Sequence, residues 1–155
     1  RRELIDHLRP PFAGCISVAG WEQWRDYDLT FLPGASRFEL GCANFVGQVG
    51  LLAATRLLLD VRICTIERWL LRLTDLLIED LKQRGYEIAT NLTPEHRSAI
   101  VSFSVPDSPD SAYEQLAAAG VVISKREHYI RVSPHCYNTE GEILRVGEVL
   151  GDAHS

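Results

Sequence analysis

Methionine is absent from this sequence, and the chain begins Arg1-Arg2. A complete cytoplasmic gene product normally carries its initiator, so the expectation is a fragment, a processed product or one piece of a larger protein. Long apolar runs are also missing. A membrane span needs ~20 such residues; Gly50 to Leu59 comes nearest, and Arg56 interrupts it. The start carries no signal-peptide pattern. Basic charge is scarce, with 16 Lys and Arg against 21 Asp and Glu and a net charge of -5. That balance argues against nucleic acid as a partner, because phosphate binding wants a basic face. The four cysteines, Cys15, Cys42, Cys64 and Cys136, form no C-x-x-C pair. This spacing argues against a zinc site, and no metal is expected. Reduced thiols in a cytoplasmic setting are the expectation for a chain with a core of this size.

What is present is a chain long enough for one ordinary domain with its own core. Arg2 to Leu8 reads as a short helix or turn, ended by Pro10-Pro11. Phe12 to Asp28 has no clean period but carries Trp21, Trp24 and Tyr27, which suggests a packed irregular segment. Pro33-Gly34 marks a turn, and Arg37-Phe38-Glu39-Leu40 reads as extended. Asn44 is placed to cap a helix from Phe45, whose apolar residues are so widely spread that burial on most sides is expected. Thr65 opens a second helix with Ile66, Leu70, Leu73, Leu77 and Leu81 on one face and Gly85 at its end. Tyr86–Ala89, Ala99–Val105, Val121–Ser124 and His128–Ser133 read as strands. Ser111–Ala119 reads as a helix. A last helix follows Asn138 or Thr139, with Glu142 spaced for a capping box on Thr139. The order predicts an α+β fold, a mainly antiparallel sheet covered by helices. Residues 1–60 fall outside that unit, which occupies residues 61–155.

Few residues invite chemistry. Arg131 sits between Ile130 and Val132 in a strand-like run and needs an anionic partner. Taken alone, a structural carboxylate such as Glu127 or Glu142 is the simpler partner; a ligand carboxylate is the alternative, suited to the planar guanidinium fork. His135 and Cys136 suggest a thiol–imidazole pair, but adjacent residues in extended chain point to opposite faces, so the two are not expected to meet. Gly41-Cys42-Ala43-Asn44, just before a helix, offers either an ordinary turn or backbone N–H groups for an anion.

Several of these stretches together resemble the class V aminotransferases, the pyridoxal-phosphate group that includes cysteine desulfurases and isopenicillin N epimerase-like proteins. Arg37-Phe38-Glu39-Leu40-Gly41 with Asn44 resembles that family's Arg-Phe-Glu-x-Gly-Thr-x-Asn segment. Arg97-Ser98 with Ile100, Ser102 and Phe103 resembles the following strand. Gly120-Val121 with Ser124 and Arg126, then Ile130-Arg131-Val132-Ser133-Pro134-His135 and Tyr137-Asn138-Thr139-Glu140, resembles the carboxyl-terminal signature. Arg2-Glu3-Leu4 with Leu8 and Pro10 is similar to the segment after the cofactor lysine.

The resemblance implies the small carboxyl-terminal domain of a fold-type I enzyme, preceded over residues 1–60 by a remnant of the large cofactor domain and a dimer-interface helix. It implies that Arg131 binds an amino-acid substrate's carboxylate and that Gly41 and Cys42 approach the cofactor phosphate. Cys42 replaces the family's hydroxyl residue there. It also implies a homodimer in the complete protein. The departure is lysine, which pyridoxal phosphate chemistry requires. Only Lys82 and Lys125 occur, and neither matches the family's lysine, which lies upstream of Arg1 in the resemblance. The chain is therefore expected to be inactive alone. A non-catalytic dimerisation or amino-acid-binding module is the alternative. Desulfurases carry a cysteine on a loop before the final arginine signature; no cysteine occurs in the 91–98 or 106–110 loops.

Overall fold

The computed structural model describes residues 2–5, 7–23, 25, 26, 28–106 and 108–153. The chain divides into two compact units, Arg1–Thr55 and Arg56–Ser155.

The first unit has little regular structure. Helix α1 spans Arg2–Ile5, and a single antiparallel bridge joins Val18 to Phe31. Ser17 is fully buried. Its hydroxyl accepts from the Gly14 N–H at 2.7 Å and donates to the Gly14 carbonyl at 3.0 Å. Gly14 lies so close to the Leu40 backbone that a β-carbon there would overlap it. The expected extended run at Arg37–Leu40 is instead a 3-10 turn over Gly34–Phe38, continuing extended at Glu39. Gly34, at φ 75°, starts the turn, and Arg37 Nε closes it onto the Leu32 carbonyl at 3.1 Å. Trp21 is 46% exposed, while Trp24 and Tyr27 lie outside the described residues.

Helix α2, Phe45–Val61, begins where the cap residue predicts. Asn44 Oδ1 accepts from the Gly47 N–H at 2.8 Å, filling one of the free donors of the first turn. The expected burial does not hold: no residue of α2 is buried among the described residues. Phe45, Val46, Val49, Leu51, Leu52, Leu57 and Leu59 are all exposed. An apolar helix states a need for cover, but the pattern does not say which residues supply it.

Helix α3, Ile63–Gln83, follows after Arg62, whose φ of 73° makes the corner. Its stripe Leu73, Leu77 and Leu81 is fully buried, with Thr74 and Ile78 beside it. The helix ends as Gly85 predicts. Gly85 adopts φ 87°, its N–H donates to the Lys82 carbonyl at 3.1 Å, and the Tyr86 N–H reaches back to Leu81 at 2.9 Å. These paired bonds satisfy carbonyls the helix would leave open.

Strand β1 is Val101–Ser104. The Tyr86–Ala89 strand is reduced to one bridge, Ile88 to Phe103. Helix α4, Pro109–Ala118, is capped by the Ser108 hydroxyl. One expected strand shifts along the chain: Val121–Ile123 stays outside the sheet, and β2 is Ser124–Arg126. It forms a tight hairpin with β3, Tyr129–Val132, through Glu127 at φ 50°. The sheet is antiparallel in the order β1-β3-β2, so the expected α+β arrangement holds. Helix α5, Glu140–Leu150, closes the unit, with Thr139 and Glu142 forming the capping box.

The core fills the space between the sheet and α3, α4 and α5. Val101, Phe103, Ile130 and Val132 face the helices and meet Leu73, Leu77, Leu81, Leu116, Ile143 and Val146. Helix α5 lies close enough to α3 that a β-carbon on Gly147 would overlap the Asp80 carboxylate and the Arg84 side chain. Asp80 and Arg84 are ion-paired at 3.0 Å, and the hydrogen bond that Arg84 donates to Asp80 raises the guanidinium's proton affinity.

The capping box carries a prediction. Glu142 holds its proton less tightly than an ordinary glutamate, first because it accepts the Thr139 N–H and then that of the Asn138 side chain. A depressed folded-state pKa contributes stability above the unfolded value, lost as pH falls through the folded one. Acidification is therefore expected to loosen the first turn of α5. Protection factors at Glu142 and Ile143, which discount the acid slowing of intrinsic exchange, should fall in acid in the parent chain and become insensitive to acid in Glu142→Gln.

Candidate functional site

The period of the sheet sorts its side chains. With Ile130 and Val132 turned to the core, Tyr129 and Arg131 face the other way. Direct antiparallel partners share a face, so Ser102 on β1 and Ser124 on β2 flank Arg131 in one polar row. Ser104, Tyr129 and Arg126 form the next row.

The Arg131 side chain is only partly exposed, and its surroundings do not satisfy it. One guanidinium nitrogen reaches the Ser124 hydroxyl at a long 3.4 Å. Nε is buried and has no hydrogen-bond partner. No carboxylate lies within ion-pair distance among the described residues. The two structural partners considered from sequence are engaged or turned away. Glu142 is occupied by Thr139 and Asn138, and Glu127 is exposed at the hairpin turn. A partly buried guanidinium without an anion is costly, because its desolvation is not offset.

The segment after Arg131 is held from several directions. Pro134 is buried and ends the strand. The Asn138 side chain accepts the His135 N–H at 2.8 Å, and the Asn138 carbonyl accepts the Trp69 indole N–H at 3.1 Å. Arg72 on α3 pairs with Glu140 at 2.6 Å. The expectation that His135 and Cys136 would not meet is overturned: Cys136 Sγ lies 3.2 Å from His135 Nδ1. Past Pro134 the backbone turns instead of staying extended, closed by the Asn138 N–H on the His135 carbonyl at 3.0 Å. The face-alternation rule no longer applies there.

A cavity of about 550 Å³ lies between the unpaired Val121–Ile123 segment and the start of α5. Val132, Ile143 and Val146, all of the helix-facing layer, line it, and Arg131 does not. This space and the unsatisfied charge are thus separate features.

Gly41 and Cys42 belong to the first unit. Cys42 is exposed, and the backbone amides of both residues make no hydrogen bond among the described residues. No group of three or more His, Cys, Asp and Glu among the described residues is placed to hold a metal ion. No helix among them is long and apolar enough to cross a membrane.

The lysines decide how far these residues fit a pyridoxal phosphate group. Lys125 stands opposite Ile130, on the helix side of the sheet, and pairs with Asp110 of α4. Lys82 is exposed on α3. Neither shares the Arg131 face, so the residues present do not supply the anchoring amine.

The layered second unit, with a three-stranded antiparallel sheet under three helices, is the carboxyl-terminal domain fold of fold-type I, class V pyridoxal-phosphate enzymes. Among solved structures, apo cysteine desulfurase from Thermococcus onnurineus NA1 matches over 97% of this chain and 41% of its own, at 25% identity and a TM-score of 0.81. A lysine-to-alanine variant of C-DES, with glycine covalently linked to its PLP cofactor, matches over 96% and 40%, at 18% identity and a TM-score of 0.74. Within that class, residues 66–150 match the kynureninase C-terminal domain family, and the chain belongs to it. A kynureninase from Monosiga brevicollis is 29% identical over 157 residues, covering 94% of this chain and 34% of the relative. The chain thus spans about a third of the length of that curated relative.

Proposed function

We propose that these residues are the carboxyl-terminal portion of a pyridoxal-phosphate-dependent class V enzyme, and that Arg131 binds the carboxylate of its amino-acid substrate. The observation that carries this reading is the buried, unpartnered Nε of Arg131, with no carboxylate in ion-pair reach among the described residues. An α-carboxylate accepts two parallel N–H bonds from such a fork, and the flanking hydroxyls of Ser102 and Ser124 keep the position polar. The free amides of Gly41 and Cys42 suit a phosphate, with Cys42 contributing backbone in place of a hydroxyl. The amine that anchors the cofactor comes, on this reading, from sequence outside these residues, so the isolated chain is inactive. Its four free thiols fit a reducing, cytoplasmic compartment.

The test is spectroscopic. The purified chain mixed with pyridoxal phosphate is expected to show only the absorption of free cofactor. Borohydride reduction and peptide mapping should then recover no modified lysine at equimolar cofactor. Stoichiometric linkage to Lys82 or Lys125 would sink this reading.

One observation favours a second reading, a non-catalytic dimerisation or amino-acid-binding module. The apolar residues of α2 are uncovered, and a homodimer, which the first reading also expects in the complete protein, is one way to cover them. Sedimentation of the isolated chain tests the dimerisation part of this reading: a monomer at micromolar concentration rejects it.

A further inference from the structure

Four thiols are free in this chain, and they differ in surroundings. Cys15, Cys42 and Cys64 are exposed, whereas Cys136 is half-buried. Exposure alone ranks Cys136 last in reactivity. Contacts rank it first. Its Sγ is 3.2 Å from His135 Nδ1, while Cys15 Sγ approaches only the Leu40 carbonyl, at 3.9 Å. Cys42 and Cys64 have no imidazole or amine in contact among the described residues.

The imidazole is held in place. Its ring stacks on Tyr137 with centroids 4.6 Å apart and planes at 24°. Its backbone N–H is fixed by Asn138, which is itself tied to Trp69 and Glu142. With the ring proton on Nε2, Nδ1 is an acceptor aimed at the thiol.

We propose that Cys136 is the reactive thiol of this chain, with His135 as its base, and that it exchanges with small-molecule disulfides. The thiol proton passes to His135 Nδ1. The Cys136 thiolate attacks one sulfur of the disulfide, a new S–S bond to Cys136 forms and the old one breaks. The departing half leaves as a thiolate and takes a proton from solvent. The exchange consumes no other oxidant. This inference does not depend on the role given to Arg131.

Labelling with dithiodipyridine at neutral pH, quenched at intervals and mapped by peptide mass spectrometry, ranks the four thiols in one sample. Cys136 is expected to react roughly tenfold faster than Cys15, Cys42 and Cys64. In concentrated urea the advantage should vanish, because it depends on the folded contact. In His135→Gln, Cys136 should become the slowest of the four while the other three rates stay unchanged. Equal or slower labelling of native Cys136 would overturn the proposal, as would a ranking that survives urea. An unchanged Cys136 rate in a folded His135→Gln protein would do the same. If that variant does not fold, the native and urea rankings decide.

Discussion

In the complete protein, Arg131→Ala is expected to raise the apparent KM for the amino-acid substrate by roughly thirtyfold to several thousandfold. That range corresponds to the 2–5 kcal/mol typically lost when one partner of a buried, hydrogen-bonded charge pair is truncated, at about 1.4 kcal/mol per tenfold. The expectation rests on the proposed role of Arg131. A structural arginine would be paired, and this one has no carboxylate within ion-pair reach among the described residues and leaves Nε buried without a partner. Arg131→Lys separates charge from geometry: a lysine keeps the positive charge but not the two-pronged fork, so its KM should fall between parent and alanine. Steady-state kinetics over a range of amino-acid concentrations checks both variants. Unchanged substrate binding in Arg131→Ala would remove the assignment.

Phe103→Ala is expected to destabilise the second unit by about 3–5 kcal/mol, the usual range for emptying a fully buried phenylalanine site. Phe103 is 0% exposed at the centre of β1. It stands opposite Ile130 and meets the Tyr86 ring edge-on at 5.5 Å. Domains of this size hold about 5–15 kcal/mol in total, so a single truncation removes a large share. The thermal midpoint should fall by more than about 10 °C, with a matching drop in the urea midpoint. Ser104→Ala is the control: the next residue on β1 faces away from the core, and its effect should stay within about 0.5 kcal/mol. Equal losses from the two variants would mean that the packing layer described for Phe103 does not carry the fold.

Local signals made much of the second unit legible in the sequence. The stripe from Leu73 to Leu81 repeats at helical spacing, and Gly85 supplies a left-handed residue where the helix must stop. Thr139 and Glu142 are spaced to cap one another, and α5 begins there. The alternation around Phe103 shows which face of β1 turns inward. What escaped depended on partners distant in sequence or on turn geometry. Val121–Ile123 has the composition of a strand, but pairing begins only at Ser124, where the Glu127 hairpin sets the register. Helix α2 has the composition of a buried helix, but composition names no covering partner.

The candidate site divides along the same line. Arg131 was identifiable as a charge in need of an anion, because a charged residue inside an apolar alternation is conspicuous. That neither Glu127 nor Glu142 neutralises it depends on the folded positions of the hairpin turn and the α5 cap. The contact between Cys136 and His135 was missed because the turn after Pro134 is held by the Asn138 side chain and the Trp69 indole. Neither partner announces that role in the sequence.

The order in which the second unit's layers arise bears on its synthesis. Helix α3 is made first, yet the groups that cover Leu73, Leu77 and Leu81 include Ile143 and Val146, which arrive about seventy residues later on α5. A growing chain therefore carries an apolar stripe whose native cover stays incomplete until α5 is made. Ribosome stalling before α5 emerges should leave a chaperone-binding, protease-sensitive intermediate, and release of that last helix should be the event that ends the exposure.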